Sequence, residues 1–222
     1  MIYTITKYAQ SCILIEKEGK RCLIDPGRFV YERDDLQAKD WPKIDLLLIT
    51  HGHSDHADVD GIRTVVKRDR CPVYTNARFA AELADQGIVA APLTPGETIT
   101  EGGFIVHAVL QQHGDLLNGQ PAPEVVGFLI DGSTLYDPGD SILLPTMPHA
   151  DVFFVPVAGP QMTLETARAM AQHVQPKVAI PVHFSNTEKY PITIDEIRTL
   201  NVPGVDVRVL ADKASMQWSA GM

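Results

Sequence analysis

The chain has 222 residues, 45% hydrophobic and 21% charged, with 28 acidic side chains against 19 basic ones and a formal net charge of −9. That length can bury a substantial core. The acidic balance argues against a broad nucleic-acid surface, which needs clustered Lys and Arg to neutralise phosphates, and no apolar run is long enough to suggest a membrane span.

The opening residues lack the basic segment and long apolar stretch of a secretory signal. Cys12, Cys22 and Cys71 are odd in number and scattered, which suits a reducing cytoplasm and gives no metal-type spacing. The expected location is therefore cytoplasmic. Ser11–Glu16 and Arg21–Asp25 alternate like a hairpin, joined through Lys17-Glu18-Gly19-Lys20 and stopped by Pro26-Gly27. Residues 28–43 read as a loop or short helix. Ile44–Thr50 is nearly continuously apolar, the pattern of a buried strand.

Immediately after that strand comes Thr50-His-Gly-His-Ser-Asp-His-Ala-Asp58. In a chain of this composition the pattern H-x-H-x-D-H arises by chance about once in a thousand, so a metal-binding role outweighs a self-solvating His-rich loop. Imidazole and carboxylate suit zinc, manganese, iron or nickel. His51 and His53 are two residues apart and point the same way on an extended segment. Asp55 and His56 are adjacent and diverge from that pair. The spacing therefore suggests two neighbouring metal positions.

Asp58–Lys67 has a helical apolar face, and Pro72–Thr75 reads as a short strand. Asn76 can cap a helix running to about Gln86, ended by Gly87. Strands follow near Thr98–Ile99, Phe104–Leu110, Val125–Ile130 and Thr134–Tyr136, with Asp131-Gly132 as a hairpin turn. Gly114–Glu124 is the expected mobile loop. Val152–Val157 is another buried strand, Thr163–Val174 a capped helix, and Val178–Val182 a strand ending at His183. A short helix at Ile194–Leu200 and a last strand at Val205–Leu210 complete the reading. No linker divides the sequence, so 1–222 is expected to be a single domain.

Residues 51–56 alone would under-coordinate two metals. His113, Asp140 and His183 each stand where a strand becomes a loop and could complete the set. His107, His149 and His173 are expected to play no part. Asp25, Asp58 and Asp137 are candidates to orient the imidazoles, with turn or cap duty as the alternative. Arg28, Tyr31, Arg33, Ser185, Asn186, Lys189 and Tyr190 lie in loops that could meet a substrate.

This order of motifs resembles the metallo-β-lactamase fold superfamily of hydrolases, from the Leu23-Ile24-Asp25-Pro26 strand to His183, and looks closest to the small stand-alone members that include the ascorbate-6-phosphate lactonase-like proteins. The resemblance implies an α/β fold, a four-layer αββα sandwich of two mixed β-sheets. It also implies that His51, His53 and His113 hold one divalent ion, that Asp55, His56 and His183 hold a second, and that Asp140 bridges them. Asp55 would also orient the bridging water. Two departures lie near the site: Asp137-Pro138-Gly139-Asp140 replaces the more usual His-Ala-Gly-Asp or His-Thr-Gly-Asp, and Ala158-Gly159-Pro160-Gln161 stands where some relatives carry Gly-Gly-His.

The expected activity is metal-dependent hydrolysis of a small ester, lactone or phosphodiester by a hydroxide shared between two ions, zinc first. The expected partner is a small-molecule substrate, with no nucleic acid and no membrane. One alternative is a non-catalytic metal- or partner-binding module, which would more naturally show eroded ligands. Another is a di-iron oxidoreductase on the same fold, which typically has Glu at the position of His53 and often adds a flavin domain. A nuclease would need an inserted domain or arm that this length does not provide.

Overall fold

The computed structural model describes residues 1–34, 36–114, 122–185 and 188–221. In chain order the strands are β1 (Ile2–Lys7), β2 (Ile13–Lys17), β3 (Lys20–Ile24), β4 (Leu46–Leu48), β5 (Val73–Thr75), β6 (Ala91–Pro92), β7 (Thr98–Glu101), β8 (Phe104–Gln112), β9 (Glu124–Ile130), β10 (Leu135–Asp137), β11 (Val152–Pro156), β12 (Val178–Val182), β13 (Asp206–Val207) and β14 (Ser215–Ser219). The helices are α1 (Arg28–Arg33), α2 (Val59–Asp69), α3 (Ala77–Asp85), α4 (Leu164–Val174) and α5 (Ile194–Arg198).

Two seven-stranded sheets result, in the orders β14-β1-β2-β3-β4-β5-β6 and β13-β12-β11-β10-β9-β8-β7. Both are mixed. In the first, β14 through β3 pair antiparallel and β3 through β6 parallel. In the second, β7 through β10 pair antiparallel and β10 through β13 parallel.

Three apolar layers show how these elements stack. The central one packs the sheets face to face, with Ile5, Ile15, Ile24 and Leu48 from one and Phe104, Phe128, Phe154 and Ile180 from the other. A second lies under α2 and α3, through Leu47, Ile62, Val65, Phe79 and Leu83. A third lies under α4, through Phe153, Val155, Ala167, Met170 and Ala171. The sequence is therefore an αββα sandwich, because alternate residues of each buried strand must find apolar cover on both sides. Each fully buried Leu, Ile or Phe contributes about 1.5–3 kcal/mol, so the strands are a stiff base for whatever their ends carry.

Local signals act as the residue types require. Asp58 caps α2, its carboxylate accepting Gly61 N–H at 2.7 Å. Asn76 caps α3 by accepting Phe79 N–H at 2.8 Å, and Thr163 caps α4 in a capping box. Asp131 and Gly132 both have positive φ, as the hairpin turn demands. The three cysteines are free and buried.

The structure differs from the sequence reading at the chain ends. Ile2–Lys7 is a strand, and the last strand is Ser215–Ser219, paired with it. Only Asp206–Val207 of the expected Val205–Leu210 strand pairs with a neighbour. Each is only five or six residues long with Thr, Ser or Gln among its few apolar positions, and no local signal reports pairing between the two ends of the chain. The expected mobile loop falls mostly on 115–121, outside the described residues. Among the described residues, no helix is long and apolar enough to cross a membrane.

At the end of the sandwich remote from the carboxyl ends of β4 and β12, Asp131 ties the sheets together. Its Oδ2 accepts Lys17 Nζ at 2.7 Å and the Tyr3 hydroxyl at 2.9 Å, and its Oδ1 accepts Ile105 N–H at 3.0 Å. Lys17 is buried and lies over the Phe104 ring. Asp131→Ala should strand that ammonium and destabilise the fold by about 3–5 kcal/mol in urea denaturation. A loss below about 1 kcal/mol would show that the pair does not brace the sheets.

Candidate metal centre

Four strand ends and one tight loop converge at the opposite end of the sandwich. β4 runs out into His51 and His53, and the turn that follows supplies Asp55 and His56. β8 ends at His113, the segment after β10 carries Asp140, and β12 ends at His183. Thr50 O accepts Val126 N–H at 3.1 Å and the Asn76 side-chain amide at 3.2 Å, which joins the two sheets beside the site.

All seven side chains singled out by the sequence come together. His51, His53, His113 and Asp140 form one group whose ligating atoms lie within 4.8 Å of one another, and Asp55, His56 and His183 form a second. Asp140 reaches both. Its Oδ2 is 3.6 Å from His113 Nε2 and 3.9 Å from His51 Nε2. Its Oδ1 is 3.0 Å from His56 Nε2, and Oδ2 is 3.1 Å from His183 Nε2. Asp55 Oδ2 is 3.3 Å from His183 Nε2. Tetrahedral bonds of about 2.0–2.2 Å give ligand–ligand edges of roughly 3.3–3.6 Å, and these separations, 3.0–3.9 Å, bracket that range.

Hydrogen bonds fix which ring nitrogen faces inward. Thr50 gives its hydroxyl proton to Asp25 Oδ2 at 2.6 Å, so its oxygen is left to accept from His51 Nδ1 at 3.0 Å. His56 Nδ1 donates to Asp25 Oδ2 at 2.7 Å, His113 Nδ1 to Gly114 O at 2.6 Å, and His183 Nδ1 to Ala158 O. Each ring thereby presents Nε2 to the centre. His51 Nε2 and His53 Nδ1 face each other at 3.1 Å. His56 Nε2, His183 Nε2 and Asp140 Oδ1 are buried without an aligned hydrogen-bond partner, although His56 and Asp140 lie within contact distance. Atoms close together yet misaligned for each other are aimed at a common third point. That is the arrangement a divalent cation fits.

Charge follows the same logic. Burial, with His56 next, pushes His51 well below the ordinary imidazole range, and His53 is lowered by burial and His113. Burial opposes charge on His56 and His183 too, but Asp140 and Asp25 raise His56, and Asp140 and Asp55 lift His183 to about 10. Burial would raise Asp55 and Asp140. Instead the His183 hydrogen bond and the charge of His56 hold Asp55 down, and the charges of His183 and His56 hold Asp140 down. These directions favour protonated His56 and His183 beside ionised carboxylates, so a cation at this site competes with protons.

Asp25 is the group beneath the centre. Its Oδ1 accepts Thr50 N–H at 2.7 Å, and its Oδ2 serves Thr50 and His56. Asp25 and His183 both adopt positive φ, at 47° and 63°. Such conformations cost about 1–3 kcal/mol each and persist where the surroundings impose them. Gly27 presses on the motif loop, since an added Cβ would lie 1.9 Å from Asp55 O. At Gly52 the Phe79 ring occupies the space a Cβ would need, at 2.5 Å.

The other candidates divide. Asp58 is a helix cap, as described above. Asp137 is buried and, among the described hydrogen bonds, accepts from no imidazole; its Oδ1 accepts Gly139 N–H at 2.8 Å. Tyr31 turns away, its hydroxyl accepting from Trp41 Nε1 at 3.3 Å. Arg28 and Arg33 are exposed, with their guanidiniums over the Phe29 ring at 4.8 and 5.1 Å. Lys189 lies over Tyr190, Ser185 is buried, and Asn186 falls outside the described residues. His107 and His149 hydrogen-bond elsewhere, to Thr98 and to Val174 O. The sequence reading missed Gln10, which hydrogen-bonds Asp55 across a separation of 45 residues. No local pattern marks such a residue.

Comparison with known proteins identifies the family. Residues 4–183 match the family described as the beta-lactamase superfamily domain. A UPF0173 metal-dependent hydrolase of Thermoplasma acidophilum is 30% identical over 177 residues, covering 75% of this chain and 76% of the relative. Another from Methanoregula boonei is 29% identical over 219 residues, covering 92% of each. The solved structure of Igni18, a metallo hydrolase from Ignicoccus hospitalis, shares the fold with a TM-score of 0.77 at 19% identity, covering 99% of both chains.

Burial and the charge of Asp25 push the Asp137 carboxyl up to about 8. A raised carboxyl keeps in the native state a proton that the unfolded chain has lost. Its stabilisation is complete below the ordinary carboxylate range near 4 and fades as pH rises toward 8. The metal-free protein should lose up to about 1.4 kcal/mol per pH unit from this source. Asp137→Asn, isosteric with the protonated form, should flatten the decline between pH 5 and 8 in urea denaturation. An unchanged slope would contradict the assignment.

Proposed function

The chain belongs to the metal-dependent hydrolases of the beta-lactamase superfamily, and on that premise we propose that it hydrolyses a small ester, lactone or phosphodiester at a dinuclear centre. His51, His53 and His113 would hold one ion and Asp55, His56 and His183 the other, with Asp140 shared. Zinc is the first choice for this nitrogen-rich set, with manganese, iron and nickel as alternatives. The observation that carries the reading is the position of Asp140, whose two oxygens lie 3.0 and 3.1 Å from the Nε2 atoms of His56 and His183 while it also belongs to the His51 group. The shared core between the sheets supports treating 1–222 as one domain.

When bound, two divalent ions supply a hydroxide at neutral pH and polarise the scissile carbonyl or phosphoryl oxygen. The protein's own groups do the rest. Asp25, Gly114 O and Ala158 O hold the imidazole rings with Nε2 inward. Asp55 stays ionised and can accept a hydrogen bond from the attacking water, which orients it. Asp140 supplies negative charge between the two groups. The buried walls around His51, His56 and His183 exclude bulk solvent, so these charges act in a low dielectric.

Protein purified without chelator should carry about two divalent ions per chain by elemental analysis. After separate reconstitution with zinc, manganese and iron, one member of an ester, lactone and phosphodiester panel should turn over, and chelation should abolish that activity. His51→Ala and Asp140→Ala should each lower kcat/KM on the order of 10³-fold with the fold retained by circular dichroism. Wild-type rates in both variants would overturn the proposal.

A further inference from the structure

Gln10 lies in the loop between β1 and β2, 1% exposed, at φ 62°. A buried glutamine in left-handed backbone is held there by its surroundings. Its backbone oxygen accepts His183 N–H at 3.0 Å, and its own N–H donates to Ser185 Oγ at 2.6 Å. Its side-chain Oε1 accepts Ser185 N–H at 2.9 Å, and Nε2 donates to Asp55 Oδ2 at 3.1 Å. The orientation of the amide is not free. Ser185 N–H is a donor and must meet Oε1, so the face turned toward Asp55 is the N–H face.

We propose that Gln10 is a positioning residue for Asp55: its side-chain N–H occupies one lone pair of Oδ2 and so fixes how the carboxylate faces the second donor group. The inference rests on the dinuclear reading above. It reaches further, because Gln10 also receives His183 on its backbone and therefore sets two of the three members of that group from one residue. An aspartate reached by a lone turn can rotate about its side-chain torsions. An aspartate tied to an amide that is itself tied to Ser185 cannot. The carboxylate is then preorganised for the ion and for the attacking water instead of being ordered by them.

Two variants separate this role from simple fastening. Gln10→Met keeps the length and removes both side-chain hydrogen bonds. Gln10→Glu keeps an acceptor for Ser185 N–H but sets an oxygen against Asp55. Stripped proteins would be titrated with cobalt(II), following visible absorption and bound metal. Both variants should bind the first ion as the wild type does and the second roughly 10–100-fold more weakly, with an altered spectrum for the second equivalent. At saturating metal, kcat should fall while KM stays within about two-fold. Wild-type affinity and spectrum in both variants, or a defect in Gln10→Met alone, would overturn the role, since either result means that Gln10 only fastens residues 183–185. If the variants lose the second ion but no substrate turns over even in the wild type, the role of Gln10 stands and the hydrolytic reading fails.

Discussion

One buried carboxylate beneath the candidate centre reaches both of its donor groups. Asp25, at the end of β3, accepts the backbone N–H and the hydroxyl of Thr50 and the Nδ1 proton of His56. Through Thr50 it also fixes His51. One residue therefore orients a donor in each of the two groups. Its backbone stands at a positive φ, and its carboxylate is fully buried. A buried charge without partners would be costly; here three hydrogen bonds satisfy it. The same bonds turn two imidazole lone pairs toward a single small volume.

The fold makes that arrangement stiff. The seven donors stand on or just beyond strand ends from both sheets, and the sheets are locked by a continuous apolar layer and by cross-links at both ends. Asp131, Lys17 and Tyr3 brace one end. Thr50, Asn76 and Val126 brace the other, next to the donors. Sites built on rigid elements hold their geometry within the tolerance that metal chemistry requires. The backbone O of Gln10 meeting His183 N–H adds a further tie between the loop after β1 and the end of β12.

Much of this was legible in the amino-acid sequence, and the reasons are physical. The run from His51 to His56 is dense enough in ligand-type side chains to identify itself. The Ile44–Thr50, Val152–Val157 and Val178–Val182 segments announce buried strands through continuous apolar character, and that placed His51 and His183 at strand ends. Asn76 and Thr163 announced helix starts through cap chemistry. Strand-to-loop positions made His113 and Asp140 candidates, and their assignment to particular groups came from family resemblance, because nothing local to either residue reports a contact with a partner so far away in sequence. The end strands β1 and β14 stayed hidden because each is short, with polar residues among few apolar ones, and their partner lies at the other end of the chain. Gln10 stayed hidden for another reason: a polar residue in a short loop reads as a solvated turn, and only the folded chain shows it buried against Asp55.

The central claim is that these side chains clamp two cations with Asp140 between them. Anomalous scattering from crystals loaded with zinc, collected on both sides of the metal absorption edge, tests it most directly. The account predicts two peaks about 3.5–4 Å apart, one beside His51, His53 and His113 and one beside Asp55, His56 and His183, with Asp140 in contact with both. A single peak in fully loaded crystals, or peaks away from these residues, would contradict it.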